Sequence, residues 1–184
     1  RGRDYLVAAG ISVIEGSLTD RALRHNEAYI KFITTGLPFV TAKFAMSLDG
    51  KIASTSGDSK WISSDDSRSY ARDLRFSNDA VIVGVGTVLN DNPRLTARDN
   101  LGVPRDKQPL RIVADSSARV PLSSQIFQEH GPILVVTARE IGNRLESLRA
   151  SGIQVIQLPA EDGSIDLRAL LEVLGEREIT SLLV

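Results

Sequence analysis

The sequence predicts an α/β fold in which helices cover both faces of a mostly parallel sheet. Short runs of apolar residues alternate with longer amphipathic segments through the second half of the chain. Strands in which nearly every residue is apolar are typical of parallel sheets buried on both faces. Parallel neighbours need crossover connections, and the amphipathic segments between the runs can supply them as helices.

The N-terminal segment predicts one long helix, with Thr19 as its cap and its end near Thr34. Gly36-Leu37-Pro38 breaks this helix and is the predicted domain boundary. Residues 1–37 and 38–184 are therefore expected to belong to different units. The apolar run over residues 39–45 is the first predicted strand of the second unit.

The central segment predicts a helix followed by a buried strand. Ser63 with Asp66 three residues later has the pattern of an N-cap and capping box. The apolar positions of the helix that follows are Tyr70, Ala71 and Leu74. Val81-Ile82-Val83 then predicts a strand that is buried on both faces.

The C-terminal half alternates strands and helices. Three apolar runs predict strands at Leu110–Ala114, residues 133–136 and residues 153–158. Ile141, Leu145 and Leu148 predict a helix over residues 139–150, which Gly152 ends. A leucine pattern starting at Leu167 predicts another helix, ended by Gly175, and residues 179–184 form the last predicted strand.

Composition excludes several classes of function. The chain is 42% hydrophobic and 24% charged, as ordinary globular proteins are, and its net charge of −1 offers no basic footprint for nucleic acid. It has no cysteine and only two histidines, so no disulfide, zinc site or zinc-deaminase chemistry is expected in these residues. No apolar stretch approaches the length of a membrane span and nothing resembles a signal peptide, so we expect a cytoplasmic protein.

Two turns near the first predicted strand are the most informative feature. Ala45-Met46-Ser47-Leu48-Asp49-Gly50-Lys51-Ile52 is followed by Gly57-Asp58-Ser59-Lys60-Trp61-Ile62, which contains the only tryptophan. Glycines allow close backbone approach, and short polar side chains beside an aromatic ring offer directional contacts. Either turn alone would more often be a surface hairpin turn, but together they favour the floor and rim of a small-molecule pocket.

Two further segments suit phosphate groups. Gly84-Val85-Gly86 follows a predicted strand as a phosphate-cradling loop would, although Leu89 replaces the third glycine of the dinucleotide fingerprint. A tight strand-to-helix turn explains the same glycines. Ser116, with Ser117 and Arg119 beside it, suits the 2′-phosphate of NADP, whereas alone it would more often belong to a solvated turn.

Several of these segments occur in a characteristic order. They are Phe39-Val40-Thr41-Ala42-Lys43-Phe44-Ala45-Met46-Ser47-Leu48-Asp49-Gly50-Lys51-Ile52-Ala53, Ser59-Lys60-Trp61-Ile62, Asp79-Ala80-Val81-Ile82-Val83-Gly84, Gly86-Thr87-Val88-Leu89-Asn90-Asp91-Asn92-Pro93 and Leu95-Thr96-Ala97-Arg98. The order resembles the reductase half of the bifunctional bacterial riboflavin-biosynthesis deaminase/reductase family. The resemblance covers residues 38–184, and residues 1–37 resemble the end of that family's deaminase domain. It implies a dihydrofolate-reductase-like fold with a mixed, mostly parallel sheet.

The resemblance also implies a reaction and a set of site residues. The reaction is the NADPH-dependent reduction of the ribosyl group of 5-amino-6-(5-phosphoribosylamino)uracil to ribityl. The implied substrate-binding residues are Ser59, Arg75, Leu95 and Arg98, and the implied cofactor-binding residues are Ala45, Trp61, Thr87, Asp91 and Ser116. A guanidinium matches a phosphate group with a planar fork of donors, which suits the two arginines.

Lys43 and Asp91 are the candidates for a direct part in the reaction. Lys43 lies two residues before Ala45, so in a strand both side chains share a face. Lys43 would either contact a carbonyl of the pyrimidine or be an edge lysine whose amine reaches solvent. Asp91 is the nearest carboxylate that could supply a proton, solvent being the other source.

Two alternatives remain open at this stage. The chain could reduce a related pyrimidine or a pterin on the same fold. It could also be a non-catalytic fragment, because it begins with Arg1 and stops inside an apolar run, before the glycine-rich cofactor loop that the resemblance places next. Members of the family form homodimers or larger assemblies, so a homo-oligomer is expected.

Overall fold

A computed structural model describes residues 2–59, 62–99, 101–139 and 142–184. Its helices are α1 (Gly2–Ala8), α2 (Thr19–His25), α3 (Glu27–Thr35), α4 (Asp65–Ser77), α5 (Val85–Asp91), α6 (Gln125–Gln128), α7 (Gly142–Ala150) and α8 (Leu167–Glu176). Its strands are β1 (Phe39–Thr41), β2 (Ala80–Gly84), β3 (Leu110–Ala114), β4 (Ile133–Thr137), β5 (Gln154–Gln157) and β6 (Ser181–Leu183).

The strands form a single sheet in the order β1-β6-β2-β3-β4-β5. Every neighbouring pair among these described strands is parallel. The last strand, β6, lies between β1 and β2, so the carboxyl ends of these three strands meet at one edge of the sheet. The predicted mostly parallel sheet is confirmed, and β3 has the predicted bounds.

Helices cover both faces of the sheet, as predicted. Successive residues of a strand point to opposite faces. On one face the strands pack against α5, α6 and α7, in a cluster that includes Val81, Val113, Val135, Val88, Ile126 and Leu145. On the other face they pack against α8, in a cluster that includes Ile82, Ile112, Leu134, Leu170 and Leu174.

The carboxylate of Asp79 fastens β6 to β2 at their amino ends. Its Oδ2 accepts hydrogen bonds from the backbone N–H and hydroxyl of Thr180, at 3.0 and 2.7 Å. It also accepts from the backbone N–H and hydroxyl of Ser181, at 3.2 and 3.1 Å. Burial opposes ionisation of Asp79, but these donors outweigh it, so its pKa is lowered from the usual value.

Helix α8 approaches the backbone that precedes β1 closely at Gly175. A Cβ atom on Gly175 would collide with the carbonyl oxygen of Gly36 and lie 3.1 Å from its carbonyl carbon. Gly175 is buried and lies inside α8, which ends at Glu176. The prediction that this glycine ends the helix is therefore wrong, and its lack of a side chain serves packing.

The long helix predicted from Thr19 is in fact two helices, α2 and α3, which meet at Asn26. The carbonyl oxygen of Ala22 accepts both from the backbone N–H of Asn26 at 3.0 Å and from its side-chain Nδ2 at 2.8 Å. Leu18 occupies the cap position, and Thr19 Oγ1 donates instead to the carbonyl oxygen of Gly16 at 3.2 Å. Gly36 does end α3, in a left-handed conformation with φ 70°.

Three other boundaries differ from the prediction. Strand β1 spans Phe39–Thr41 and is shorter than the predicted run over residues 39–45. The cap of α4 is Ser64 rather than Ser63, since its side chain accepts a hydrogen bond from the N–H of Ser67 at 3.2 Å. Strand β5 is shorter than predicted. Ile141, predicted in the following helix, lies outside the described residues, whereas Leu145 and Leu148 are buried as expected.

Candidate functional site

A cleft opens where β1, β6 and β2 end. It consists of two overlapping cavities of about 490 Å³ and about 540 Å³, a size typical of small-molecule sites. Six of the predicted site residues line both cavities, namely Lys43, Ala45, Ser59, Arg75, Asp91 and Leu95. Arg98 lines the first cavity and Thr87 the second. The fold therefore brings together eight of the predicted residues, and their roles stay predictions.

The two ends of the cleft differ in character. The first cavity, here called the basic end, is lined by the arginines Arg68, Arg72, Arg75, Arg94 and Arg98. The second, called the apolar end, is lined by Ile82, Val83, Gly84, Leu183 and Val184, from the ends of β2 and β6. An extended ligand with an anionic group at one end and a flat apolar group at the other would match this arrangement.

The pairing between β1 and β6 fixes the backbone at Lys43. Lys43 lies two residues after the end of β1, and its N–H donates to the carbonyl oxygen of Val184 at 2.9 Å. The side chain of Lys43 is exposed and has no hydrogen-bond or ion-pair partner among the described residues. Its amine is therefore available to a ligand in the cleft.

The two predicted turns are held by their own serines. Ser47 Oγ donates to the carboxylate of Asp49 at 2.5 Å and accepts from the N–H of Lys51 at 3.0 Å. Ser54 Oγ likewise accepts from the N–H of Asp58 at 3.0 Å. Neither aspartate lines the cleft as it is described, so the turns contribute through the residues beside them, Ala45 and Ser59.

Helix α5 carries Thr87 and Asp91 one turn apart, so both side chains face the same way. The loop after it includes two residues in the left-handed region, Asn92 with φ 44° and Leu95 with φ 56°. Leu95 is buried nonetheless. A branched residue held at positive φ is strained, and such strain is often found at ligand-binding segments.

Arg98 is held in place by three protein contacts. Its Nε donates to Thr96 Oγ1 at 2.9 Å and its Nη1 to the carbonyl oxygen of Gly102 at 2.7 Å. Its Nη2 donates to the carboxylate of Glu129 at 2.9 Å, and the same carboxylate oxygen pairs with Arg94 at 3.0 Å. Glu129 thus neutralises much of the charge that these two arginines bring to the basic end.

A buried arginine of the core supports the loop that carries Glu129. Arg111, on β3, is fully buried. Its Nη1 donates to the carbonyl oxygen of Ile126 at 2.8 Å, and its Nη2 donates to those of Glu129 and Gly131 at 2.9 and 3.0 Å. Sequence reasoning overlooked this residue, because an arginine within an apolar strand gives no sign of what it contacts.

Arg72 was also missed by the sequence analysis. It lies on α4 between Arg68 and Arg75, four residues after the first and three before the second. Residues at these spacings share a helix face, so the pattern was visible in the sequence. The direction of that face, toward the cleft, was not.

Two of the predicted cofactor residues are not among the described residues that line the cleft. Trp61 lies outside the described residues. Ser116 is half-buried at the carboxyl end of β3, next to β2 in the sheet, and is not among the described residues that line either cavity. Its proposed contact with a 2′-phosphate stays a prediction.

Within the described residues, no group of three or more His, Asp or Glu side chains is arranged to hold a metal ion. None of the helices within the described ranges has both the length and the apolar character needed to cross a membrane.

Comparison with known proteins gives consistent matches. The family model described as RibD C-terminal domain matches residues 38–184. The riboflavin biosynthesis proteins RibD of Actinobacillus pleuropneumoniae and Aquifex aeolicus are 39% and 40% identical over the whole chain, which spans 48% and 50% of their lengths. The chain thus covers about half of these relatives.

Solved structures agree with the family match. A Thermotoga maritima protein, described as a diaminohydroxyphosphoribosylaminopyrimidine deaminase/5-amino-6-(5-phosphoribosylamino)uracil reductase, matches with a TM-score of 0.81 and 32% identity. That match covers 100% of this chain and 49% of the other. A riboflavin biosynthesis reductase of Saccharomyces cerevisiae matches with a TM-score of 0.61 at 23% identity, over 89% of this chain and 70% of its own, and shows the shared fold alone. The fold is the expected dihydrofolate-reductase-like α/β fold, and the chain belongs to the RibD C-terminal domain family.

Proposed function

We propose that this chain carries out the reductase step named for its Thermotoga relative, with NADPH as the reductant. The ribosyl group of 5-amino-6-(5-phosphoribosylamino)uracil would be reduced to ribityl. The observation that carries the proposal is the cleft itself, in which a basic end adjoins an apolar end. A phosphorylated pyrimidine substrate and a nicotinamide ring need these two environments side by side.

The basic end suits the substrate phosphate. Arg75 has no hydrogen-bond or ion-pair partner among the described residues. Burial, and then the charge of Arg72, lowers the pKa of Arg75, which an anion nearby would counteract. Ser59 and Leu95 line the same space and can position the sugar, with the hydroxyl of Ser59 as a hydrogen-bond partner.

The apolar end suits the nicotinamide of the cofactor. Ala45 has a small side chain beside Val83 and Leu183, so a flat ring can approach the backbone there. Thr87 and Asp91 line this end and offer a hydroxyl and a carboxylate to the polar parts of the cofactor. When bound, NADPH supplies the hydride that C1′ of the ring-opened substrate accepts.

The residues of the cleft mainly hold the reactants in position. Bringing the substrate C1′ next to the cofactor within a site lined by apolar side chains supplies proximity and excludes water. Lys43, whose amine is unpaired among the described residues, would donate to a carbonyl of the pyrimidine and favour the deaminated compound. Asp91 lines both ends and could deliver the proton to the substrate nitrogen, with solvent as the other source.

The test is NADPH oxidation by the full-length protein, followed by absorbance with and without the phosphoribosylaminouracil. We expect oxidation only with this substrate present, and a ribityl product by mass spectrometry. The undeaminated diaminopyrimidine and a dihydropterin serve as competing substrates. Faster turnover of either would replace the proposal with the corresponding related reductase, and no turnover of any of the three would refute a catalytic role.

A further inference from the structure

Helix α4 presents three arginines to the basic end of the cleft. Arg68, Arg72 and Arg75 follow one another at spacings of four and three residues and all line the same cavity. Three cations on one helix face repel one another unless anions lie between them. The anions that each of them meets therefore decide what the face can do.

Protein groups already engage three of the five arginines that the described structure places around this cavity. Arg68 donates to the carbonyl oxygen of Ser63 and to the carboxylate of Asp65. Arg94 and Arg98 share the carboxylate of Glu129. Each of these guanidinium groups has an anion beside it.

Arg72 differs from them. Neither it nor Arg75 has a hydrogen bond or an ion pair with any described residue. The Nε of Arg72 is buried and lacks an acceptor within the described part of the chain. A buried donor without an acceptor is costly, and in a native protein such a group often marks a place where a ligand or water binds.

The charge balance points to an anion between Arg72 and Arg75. The two residues lie about one helical turn apart on α4 and line the same cavity, and burial, followed by the charge of Arg72, lowers the pKa of Arg75. A doubly charged group between them would offset both charges and provide the missing acceptors. Arg72 lines the basic end but not the apolar end, which favours an anion of the substrate over one of the cofactor.

We propose that Arg72 is a further arginine of the substrate phosphate subsite, besides the predicted Arg75 and Arg98, and that, with Arg75, it clamps the phosphate monoester dianion. This inference rests on the proposed function, because that function supplies a phosphorylated substrate. Arg72 would act as a specificity residue, distinguishing phosphorylated from unphosphorylated ribosyl compounds.

The first test is kinetic and uses the full-length protein. Arg72→Gln should lower kcat/KM for the phosphorylated substrate by about ten- to a hundredfold, the effect of losing a hydrogen-bonded charge partner. Arg72→Lys should recover part of the loss, and the KM for NADPH should stay unchanged. Arg149→Gln, which removes an exposed arginine of α7, is the matched control and should behave as the parent.

A purely structural role for Arg72 would alter the KM for NADPH and the melting temperature as well. Equal loss toward substrate and cofactor would therefore overturn the proposal, and so would an unchanged kcat/KM for the substrate. Selective loss toward the substrate, with an unchanged melting temperature, would support it.

A second test does not depend on turnover. Calorimetric titration with ribose 5-phosphate should show binding to the parent protein and about tenfold or more weaker binding to Arg72→Gln, with ribose as the unphosphorylated control. If the parent reduces no substrate but binds ribose 5-phosphate through Arg72, the clamp stands and the proposed reaction fails. If the reaction proceeds but both proteins bind ribose 5-phosphate equally, the clamp is refuted and the reaction stands.

Discussion

Replacing Gly175 by alanine should destabilise the protein, although alanine forms helices better than glycine. The position lies inside α8, where alanine ordinarily gains about 1 kcal/mol. Here, however, the added Cβ would collide with the carbonyl oxygen of Gly36, and its distance to the carbonyl carbon would be only 3.1 Å. Carbon atoms in favourable contact are about 3.5–4.0 Å apart.

The cost follows from which atoms must move. The obstructing group is backbone, held by the end of α3 on one side and the start of β1 on the other, so it cannot turn aside as a side chain would. Overpacking of a buried site costs about 1–3 kcal/mol, and a rigid neighbour places this case near the upper end. After the helix gain is subtracted, we expect a net loss of about 2 kcal/mol in the free energy of unfolding.

Urea unfolding followed by circular dichroism measures this loss, and thermal unfolding should show a fall of about 4–8 °C. Gly142→Ala is the control, because a Cβ there meets no described atom within 4 Å, and we expect it to be neutral or stabilising. Equal stability of the Gly175→Ala variant and the parent would show that α8 can withdraw from Gly36 at little cost, which would refute the reasoning.

Three further predictions concern the sheet and the cleft. Asp79→Asn should cost about 1–2 kcal/mol at neutral pH, because it weakens four hydrogen bonds to a carboxylate. The folded-state pKa of Asp79 is lowered, so the stability that its carboxylate contributes is present above the unfolded pKa of about 3.9 and is lost as the pH falls through the folded value. Urea melts of the parent and of Asp79→Asn should therefore differ at neutral pH and converge at acidic pH. Arg75→Ala should raise the substrate KM about ten- to a hundredfold without lowering the melting temperature. Arg98→Ala should change both the KM and the melting temperature, because Glu129 loses a partner. Kinetics and scanning calorimetry on one preparation of each variant distinguish a loss of binding alone from a loss of binding and stability. Ser116→Asp should shift preference from NADPH toward NADH by repelling the 2′-phosphate, and an unchanged ratio in paired titrations would reduce Ser116 to a turn residue.

The strands were predictable from the sequence because burial on both faces leaves a direct trace. Apolar runs marked β2, β3 and β4 to within a residue or two. The length of β1 was not predictable in the same way. Strand β1 lies at the edge of the sheet, and its one partner among the described strands is β6, which is far away in the chain.

The predicted helix boundaries were wrong at two places where the structure has a contact that periodicity does not show. The predicted N-terminal helix is interrupted at Asn26, whose side chain also donates to the carbonyl oxygen of Ala22, a contact that periodicity does not reveal. At Gly175 the sequence showed a glycine near a helix end, and the usual meaning of that signal was wrong. The reason for the glycine is a neighbour far away in the chain, Gly36.

For the candidate site too, some residues were predictable from the sequence and others were not. Most of the predicted residues came together in the cleft because the resemblance carried positions that apolar periodicity alone could not assign. Arg72 was overlooked because its significance lies in having no anionic partner among the residues that the structure describes, and a sequence does not show which charges remain unpaired.

The buried guanidinium of Arg111 has a consequence for how the basic end responds to pH. It holds the carbonyl groups of the loop that positions Glu129, and through Glu129 it orients Arg94 and Arg98. Burial lowers the pKa of Arg111, with Glu129 acting in the opposite direction, but an arginine remains protonated in proteins. A lysine at this position could lose its proton and release the loop, because buried lysines titrate readily. The use of arginine therefore removes loss of charge at this position as a way in which this side of the cleft could change shape with pH.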